Sequence, residues 1–311
     1  METKSADNIL VAIDFGPCSR AELVYALSRT KARGGRVHVL HAYEPPYYAP
    51  EALITLPGQP PMPLQEYADR DAAMRMSRFL EETPEWLESR AERRPELTFQ
   101  LVGGIADDEI CRAATVREST LIIMGTHGRK GLSHLLLGSV AERVIRRSPC
   151  PVLVIHERDL PQRATTVARP TKVLVPIDFG TDASSPARLA LEFEGPTPFE
   201  LHLLHVVATP AYAGDVIVPR AGGVTLGHYL HESAEANLRA FAETLVPKPA
   251  KLHVTRGSPA DCIVHIAAEE DIDLLVMGTH GRTGLAHFFL GSVTERVLPR
   301  VTCPVLVTRA P

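Results

Sequence analysis

At 311 residues, with 45% apolar and 23% charged side chains, the chain is long enough for two globular domains with separate cores. A formal charge of −4 argues against a dedicated nucleic-acid binder, whose footprint is a basic excess, and no run of about 18 apolar residues is present to span a membrane. The first residues carry no apolar signal region, and five cysteines without a C-x-x-C pair read as reduced thiols in a cytoplasm.

In chain order, residues 8–14 form an apolar run ending in Asp14, which suits a parallel strand buried on both faces. Gly16 and Pro17 turn the chain, and residues 21–31 carry a helical period with Leu23, Ala26 and Leu27 on one face. Gly34 and Gly35 end that helix, and 36–42 is a second strand. The loop at 44–63 holds seven prolines, which forbid regular structure through most of it. Residues 64–93 read as a charged helix broken at Thr83 and Pro84, 97–102 as a third strand, 107–117 as a short helix and 121–124 as a fourth strand. A glycine-rich turn leads to a helix at 139–147 and a fifth strand at 151–155. A polar, proline-containing stretch then sets domains at 1–157 and 171–311, with 158–170 as linker.

The programme restarts with strands at 172–178, 200–207, 251–255, 273–277 and 303–307, and helices near 185–194, 228–245 and 260–270. A Gly/Pro-rich loop covers 208–227. Alternating strands and helices imply α/β domains with parallel sheets, right-handed crossovers and helices on both faces.

Gly125, Gly128, Gly138 and Ser139 follow the spacing G-x2-G-x9-G-S, and Gly278, Gly281, Gly291 and Ser292 repeat it. Between 122–154 and 275–307, about two positions in three are identical. Strand, glycine turn, loop and a helix opening at Gly-Ser can wrap backbone N–H groups around phosphates. Ligands of doubly wound sheets bind beyond the carboxyl ends of strands, where the strand order reverses. If strands one and four are neighbours there, Asp14 faces Gly125, and Asp178 faces Gly278. A competing reading has both acids merely capping the following turn. Ser139 with Glu142, and Ser292 with Glu295, have capping-box spacing, which is compatible with an anion at the same helix start.

Enzyme signatures are missing. No Walker phosphate loop, G-x-G-x-x-G after strand one, H-E-x-x-H or G-x-S-x-G occurs. His127 and His280 lack a neighbouring nucleophile of recognisable context. His38 with His41, and His202 with His205, sit three apart on strands and so point to opposite faces, which argues against a shared metal.

The paired glycine motifs, the Asp ending each first strand and the C-P-V-L-V runs at 150–154 and 303–307 resemble tandem universal stress proteins of the ATP-binding branch. The resemblance covers nearly the whole chain, apart from the linker and the two long loops. It implies two doubly wound domains, each a five-stranded parallel sheet in the order 3-2-1-4-5 flanked by helices. It implies adenine held near Ile13 and Ala42, and near Ile177 and Val206, with Asp14 and Asp178 touching the nucleoside. Gly125, Gly128, Arg129, Gly138, Ser139 and Val140 would take ribose and phosphates, as would Gly278, Gly281, Arg282, Gly291, Ser292 and Val293.

The implied ligand is ATP, with or without Mg, and AMP or ADP would suit the same motif. Pairing of the fifth strands in an internal pseudo-dimer is also implied, with a homodimer left open. The implied role is a stress-response regulatory or sensing module without catalytic or metal-ligating residues. Two alternatives stand beside it: a slow ATPase or phosphate- or adenylyl-transferring enzyme, and a partner-binding scaffold with vestigial pockets. The long loops at 44–63 and 208–227 are dissimilar, and either could make the two sites unequal.

Overall fold

The computed structural model describes residues 6–82, 96–126, 137–156, 171–180, 183–193, 199–207, 216–218, 224–245, 249–279 and 290–308. The chain divides into two compact units, each built round its own parallel sheet. The linker at 158–170 and the helix break at Thr83 and Pro84 lie outside the described residues.

In the first unit, β1 (Asp7–Ala12), β2 (Gly35–Tyr43), β5 (Glu96–Gly103), β6 (Leu121–Gly125) and β7 (Val152–Ile155) form a sheet in the order β5-β2-β1-β6-β7. Every pairing is parallel. Numbered within the unit, that order is 3-2-1-4-5. The central strands are covered on both faces, so Ile9, Leu10, Val11, Ile122 and Ile123 have no exposed surface. Helices α1 (Ser19–Arg33), α2 (Leu64–Glu81), α3 (Ala106–Val116) and α4 (Ser139–Arg147) flank the sheet.

The second unit repeats the design with β8 (Lys172–Pro176), β9 (Glu200–Val207), β12 (Ala250–Arg256), β13 (Leu274–Gly278) and β14 (Val305–Thr308). Its order is β12-β9-β8-β13-β14, again parallel throughout. Its helices are α5 (Ser184–Phe193), α6 (Leu226–Thr244), α7 (Pro259–Glu269) and the short α8 (Ser292–Val297).

Two expectations change. The proline-rich loop contains an antiparallel ribbon, β3 (Leu53–Ile54) with β4 (Met62–Pro63), closed over a turn with Gly58 at φ +75°. Prolines at the ribbon's end and in its turn are compatible with so short a pairing, because they cost it no central ladder bond. The loop at 208–227 likewise carries a ribbon, β10 (Ile217–Val218) with β11 (Val224–Thr225). Helix α6 then starts two residues earlier than its apolar period indicates, because the Thr225 hydroxyl accepts the His228 N–H at 3.3 Å.

None of the five cysteines is in a disulfide, and burial pushes the Cys150 thiol up to about 11, which keeps it a poor nucleophile. Among the described residues, no helix is long and apolar enough to cross a membrane.

The turn from α1 into β2 shows how closely one unit is fitted. Gly34 caps α1 with φ +78°, and its N–H donates to the Thr30 carbonyl at 2.7 Å. Gly35 follows at φ +131°, where an added Cβ would stand 1.9 Å from the Asp7 carbonyl oxygen. Asp7 also holds Arg29 and Arg33 through its Oδ2, at 3.0 and 3.3 Å. Gly34→Ala meets open space and is expected to cost only the backbone penalty of a φ +78°, ψ 163° conformation that glycine alone adopts readily, about 1–3 kcal/mol. Gly35→Ala must displace β1 and is expected to cost about 2–4 kcal/mol. Calorimetric unfolding of the two variants should show the larger loss for Gly35→Ala; equal losses would contradict the fitted turn.

Candidate functional site

The order β2-β1-β6 places the carboxyl ends of β1 and β6 side by side, at the point where the connections leave for opposite edges of the sheet. The ladder ends at Ala12 paired with Met124, so Ile13 and Asp14 lie just past it, beside Gly125 and Thr126. The Ile13 N–H still bonds the Leu40 carbonyl at 2.9 Å, which holds this extension against β2, the strand that carries Ala42. Ile177 does the same with Leu204 at 2.7 Å, against the strand carrying Val206.

Each extension is locked from behind by a histidine. His41 Nδ1 bonds the Ile13 carbonyl at 2.8 Å, and His205 Nδ1 bonds the Ile177 carbonyl at 2.6 Å. The next residue but one is a phenylalanine in the left-handed region, Phe15 at φ +60° and Phe179 at φ +55°. Phe15 packs on His41 at 4.3 Å between ring centroids and on Phe79 at 5.9 Å; Phe179 packs on His205 at 4.5 Å and on Phe241 at 6.4 Å. Phe15, His41, Phe179 and His205 escape a motif search, but their recurrence at equal distances from Asp14 and Asp178 is a signal the sequence does contain. His38 bonds Thr98 and Gln100, and His202 bonds His253, so the paired histidines of each strand serve different partners.

Asp14 Oδ1 accepts the Gly16 N–H at 2.7 Å and the Ser19 hydroxyl at 3.2 Å. Asp178 Oδ1 accepts the Gly180 N–H at 2.9 Å. Both acids therefore do cap the following turn, and both are half-buried at the strand end.

The loop after β6 is closed at its base. The Gly138 N–H donates to the Thr126 carbonyl at 2.7 Å, and the Gly291 N–H donates to Thr279 at the same 2.7 Å. This tie sets the start of α4 against the end of β6, and the start of α8 against the end of β13. The structure thus gathers Ile13, Asp14, Ala42, Gly125, Gly138, Ser139 and Val140 at one end of the first sheet. Ile177, Asp178, Val206, Gly278, Gly291, Ser292 and Val293 gather in the second. Gly128, Arg129, Gly281 and Arg282, with His127 and His280, lie outside the described residues.

The capping boxes do not form. Gly138 and Gly291, not the serines, are the N-caps, because their carbonyls accept the Glu142 and Glu295 N–H groups at 3.0 and 2.9 Å. Neither helix start has a side-chain cap, and Glu142 turns instead to Arg146. Among the described residues, no side chain caps the start of α4, which is the positive end of the helix. Asp107 of α3, 2% exposed, holds this helix from below through Arg143 at 2.8 Å and Arg147 at 3.1 Å.

Gly125 lies in close approach to α1: a Cβ there would stand 2.8 Å from Glu22 Oε1, the end of a flexible side chain, and 3.1 Å from Cβ of Cys18, the N-cap of α1. Burial, and then the neighbouring Asp14 charge, push the Glu22 carboxyl well above the ordinary range.

A separate cavity of about 480 Å³ opens at the amino end of the first sheet, near Asn8, Arg36, His38, Glu96 and Arg117. Its polar groups already serve one another: Arg36 faces Glu96 at 3.9 Å, and Gln100 takes bonds from both His38 and Arg117. The carboxyl end, where a helix start without a side-chain cap lies by the strand ends, is the better candidate.

The model of the universal stress protein family matches the chain twice, over residues 6–156 and 170–309. The universal stress protein Rv2005c of Mycobacterium tuberculosis is 32% identical over 197 residues, covering 62% of this chain and 62% of that relative's length. Rv1996 of the same organism is 23% identical over 321 residues, covering 97% of this chain and 95% of the relative. A solved universal stress protein from Archaeoglobus fulgidus has the same fold, with TM-score 0.68 at 22% identity over 99% of both chains. With two matches that together take in most of its length, the chain belongs to the universal stress protein family and carries two of that family's domains in tandem.

Proposed function

We propose that this protein binds an adenine nucleotide, ATP foremost, at the carboxyl end of each sheet and acts as a cytoplasmic stress-response regulatory or sensing module. The observation that carries the reading is the tie from Gly138 to Thr126, which presents an uncapped helix start beside Asp14 on the neighbouring strand. Helix N–H groups and the helix dipole suit phosphate oxygens, and a carboxylate at the strand end suits ribose hydroxyls. Adenine would rest near Ile13 and Ala42. Gly125, Gly138, Ser139 and Val140 would meet ribose and phosphates, with Gly128 and Arg129 completing the loop. The second unit repeats the arrangement through Ile177, Asp178, Val206, Gly278, Gly281, Arg282, Gly291, Ser292 and Val293. The spacing shared with the ATP-binding branch supports ATP, with or without Mg; AMP and ADP would use the same donors.

Gly138 sits at φ −61° and ψ 140°, and Gly291 at φ −55° and ψ 137°, which branched residues also adopt. Gly138→Val combined with Gly291→Val should therefore fold yet obstruct both helix starts. Equilibrium binding of labelled ATP is expected to weaken about 100-fold, or ~2.8 kcal/mol, in the double variant. Unchanged binding would rule out the assignment. Wild-type protein denatured after native purification is expected to release an adenine nucleotide detectable by mass spectrometry. Incubation with Mg-ATP should leave the nucleotide intact over hours, and steady product formation lost on Asp14 and Asp178 substitution would favour the enzyme reading instead.

A further inference from the structure

Glu22 has no part in the nucleotide reading, yet it lies directly beneath the glycine turn. It stands in the first turn of α1, is 2% exposed, and its Oε2 is buried without a hydrogen-bond partner. Its Oε1 lies against the end of β6, 2.8 Å from where a Cβ at Gly125 would stand. The titratable groups around it are few. Asp14 stands at the end of β1, Cys18 precedes it on α1, and His41 of β2 is turned to the Ile13 carbonyl. The adjacent strand β6 contributes Leu121–Gly125, none of which titrates. Among the described residues, Asp14 is the charge that acts on Glu22 appreciably, and it is of like sign.

The second unit supplies an internal control. Counting eight residues on from the strand-end acid gives Glu22 after Asp14 but Pro186 after Asp178. Pro186 is buried in α5. The fold therefore accepts an apolar residue at this place, and the acid of the first unit is not something the architecture requires.

A carboxyl so placed is tolerable while neutral. Once ionised, it sets a second negative charge beside Asp14, in a poorly solvated spot against Gly125 at the strand end proposed to meet the ligand. A polyanion bound above it and an ionised Glu22 oppose one another, so each ligand bound raises the affinity of Glu22 for its proton.

We propose that Glu22 is a specificity-determining residue that couples ligand binding in the first pocket to a proton, so that this pocket takes a nucleoside polyphosphate only with Glu22 neutral, while the second pocket lacks the linkage. The proposal rests on the nucleotide reading above. Its sign is fixed. Affinity at the first pocket falls as pH rises through the ionisation of Glu22 in the free protein, by up to about tenfold per pH unit for one linked proton.

The test is titration calorimetry with Mg-ATP at saturating magnesium, in the Gly291→Val background that leaves the first pocket, from about pH 6 to about pH 9. Runs in two buffers of different ionisation enthalpy report the protons taken up. The expected result is a decline in affinity with uptake approaching one proton, both abolished by Glu22→Gln, which retains the affinity of the low-pH limit. Proton uptake in the parent protein needs no substitution at Glu22, so a misfolded Glu22→Gln variant would not spare the proposal. Binding without proton uptake at any pH, or an identical profile in Glu22→Gln, overturns the coupling and leaves nucleotide binding standing. Absence of binding by every variant, the full-length parent included, overturns both.

Discussion

The arrangement of each unit depends on one short hydrogen bond, from the N–H of Gly138 to the carbonyl of Thr126, and from Gly291 to Thr279 in the repeat. A loop leaving a parallel strand usually runs into its crossover helix with the helix start free to drift. Here the two ends of the loop are joined at the base, so the positive end of α4 is fixed beside the end of β6. The sheet order does the rest, since β1 is the neighbour of β6 on the side where Asp14 emerges. Neither the glycines nor the acid would make a pocket without that closure.

The strand-one extension carries a second constraint, and it is a strained one. A left-handed phenylalanine costs about 1–2 kcal/mol, and both units retain one, at Phe15 and Phe179. In each case the ring lands on the histidine that grips the preceding isoleucine carbonyl. Packing and hydrogen bonding together hold the chain in a turn it would otherwise leave, and the turn is what aims the carboxylate of Asp14 or Asp178. Strain that recurs in both copies at the same distance from the same acid is most simply read as the means of orienting that acid.

Much of this was legible in the sequence because buried parallel strands are written as unbroken apolar runs, and because the chain states its motif twice. Helix 139–147 coincides with α4, its start marked by Gly138 and its end by Ser148 and Pro149. The misreadings have local causes. Ser139 and Glu142 have the spacing of a capping box, but the carbonyl that accepts the first helical bond belongs to Gly138, one residue earlier. The prolines of 44–63 concealed a ribbon only two residues long on each side. Glu22 was invisible for a different reason: an acid in the first turn of an amphipathic helix normally reads as solvated charge favoured by the dipole. Only the close approach of α1 to Gly125 reveals that it is buried.

The two units share a backbone plan but not a polar interior. Ser19 bonds Asp14 in the first unit, where the second has Ala183; Asp107 braces α4, where the second has Ala260; and Glu22 answers to Pro186. Each of these differences lies within or beneath the carboxyl end of the sheet, while the strand order, the left-handed phenylalanines and the loop ties are kept. What the second unit keeps is the exposed counterpart of the Asp108–Arg147 pair, Asp261 to Arg300 at 2.6 Å, which solvent screens far more than Asp107. Polar contacts differ at the amino end as well, where the buried Asp7 and Arg29 answer to Thr171 and Phe193, so the two copies have kept the frame that folding needs while polar groups at both ends of the sheet have changed.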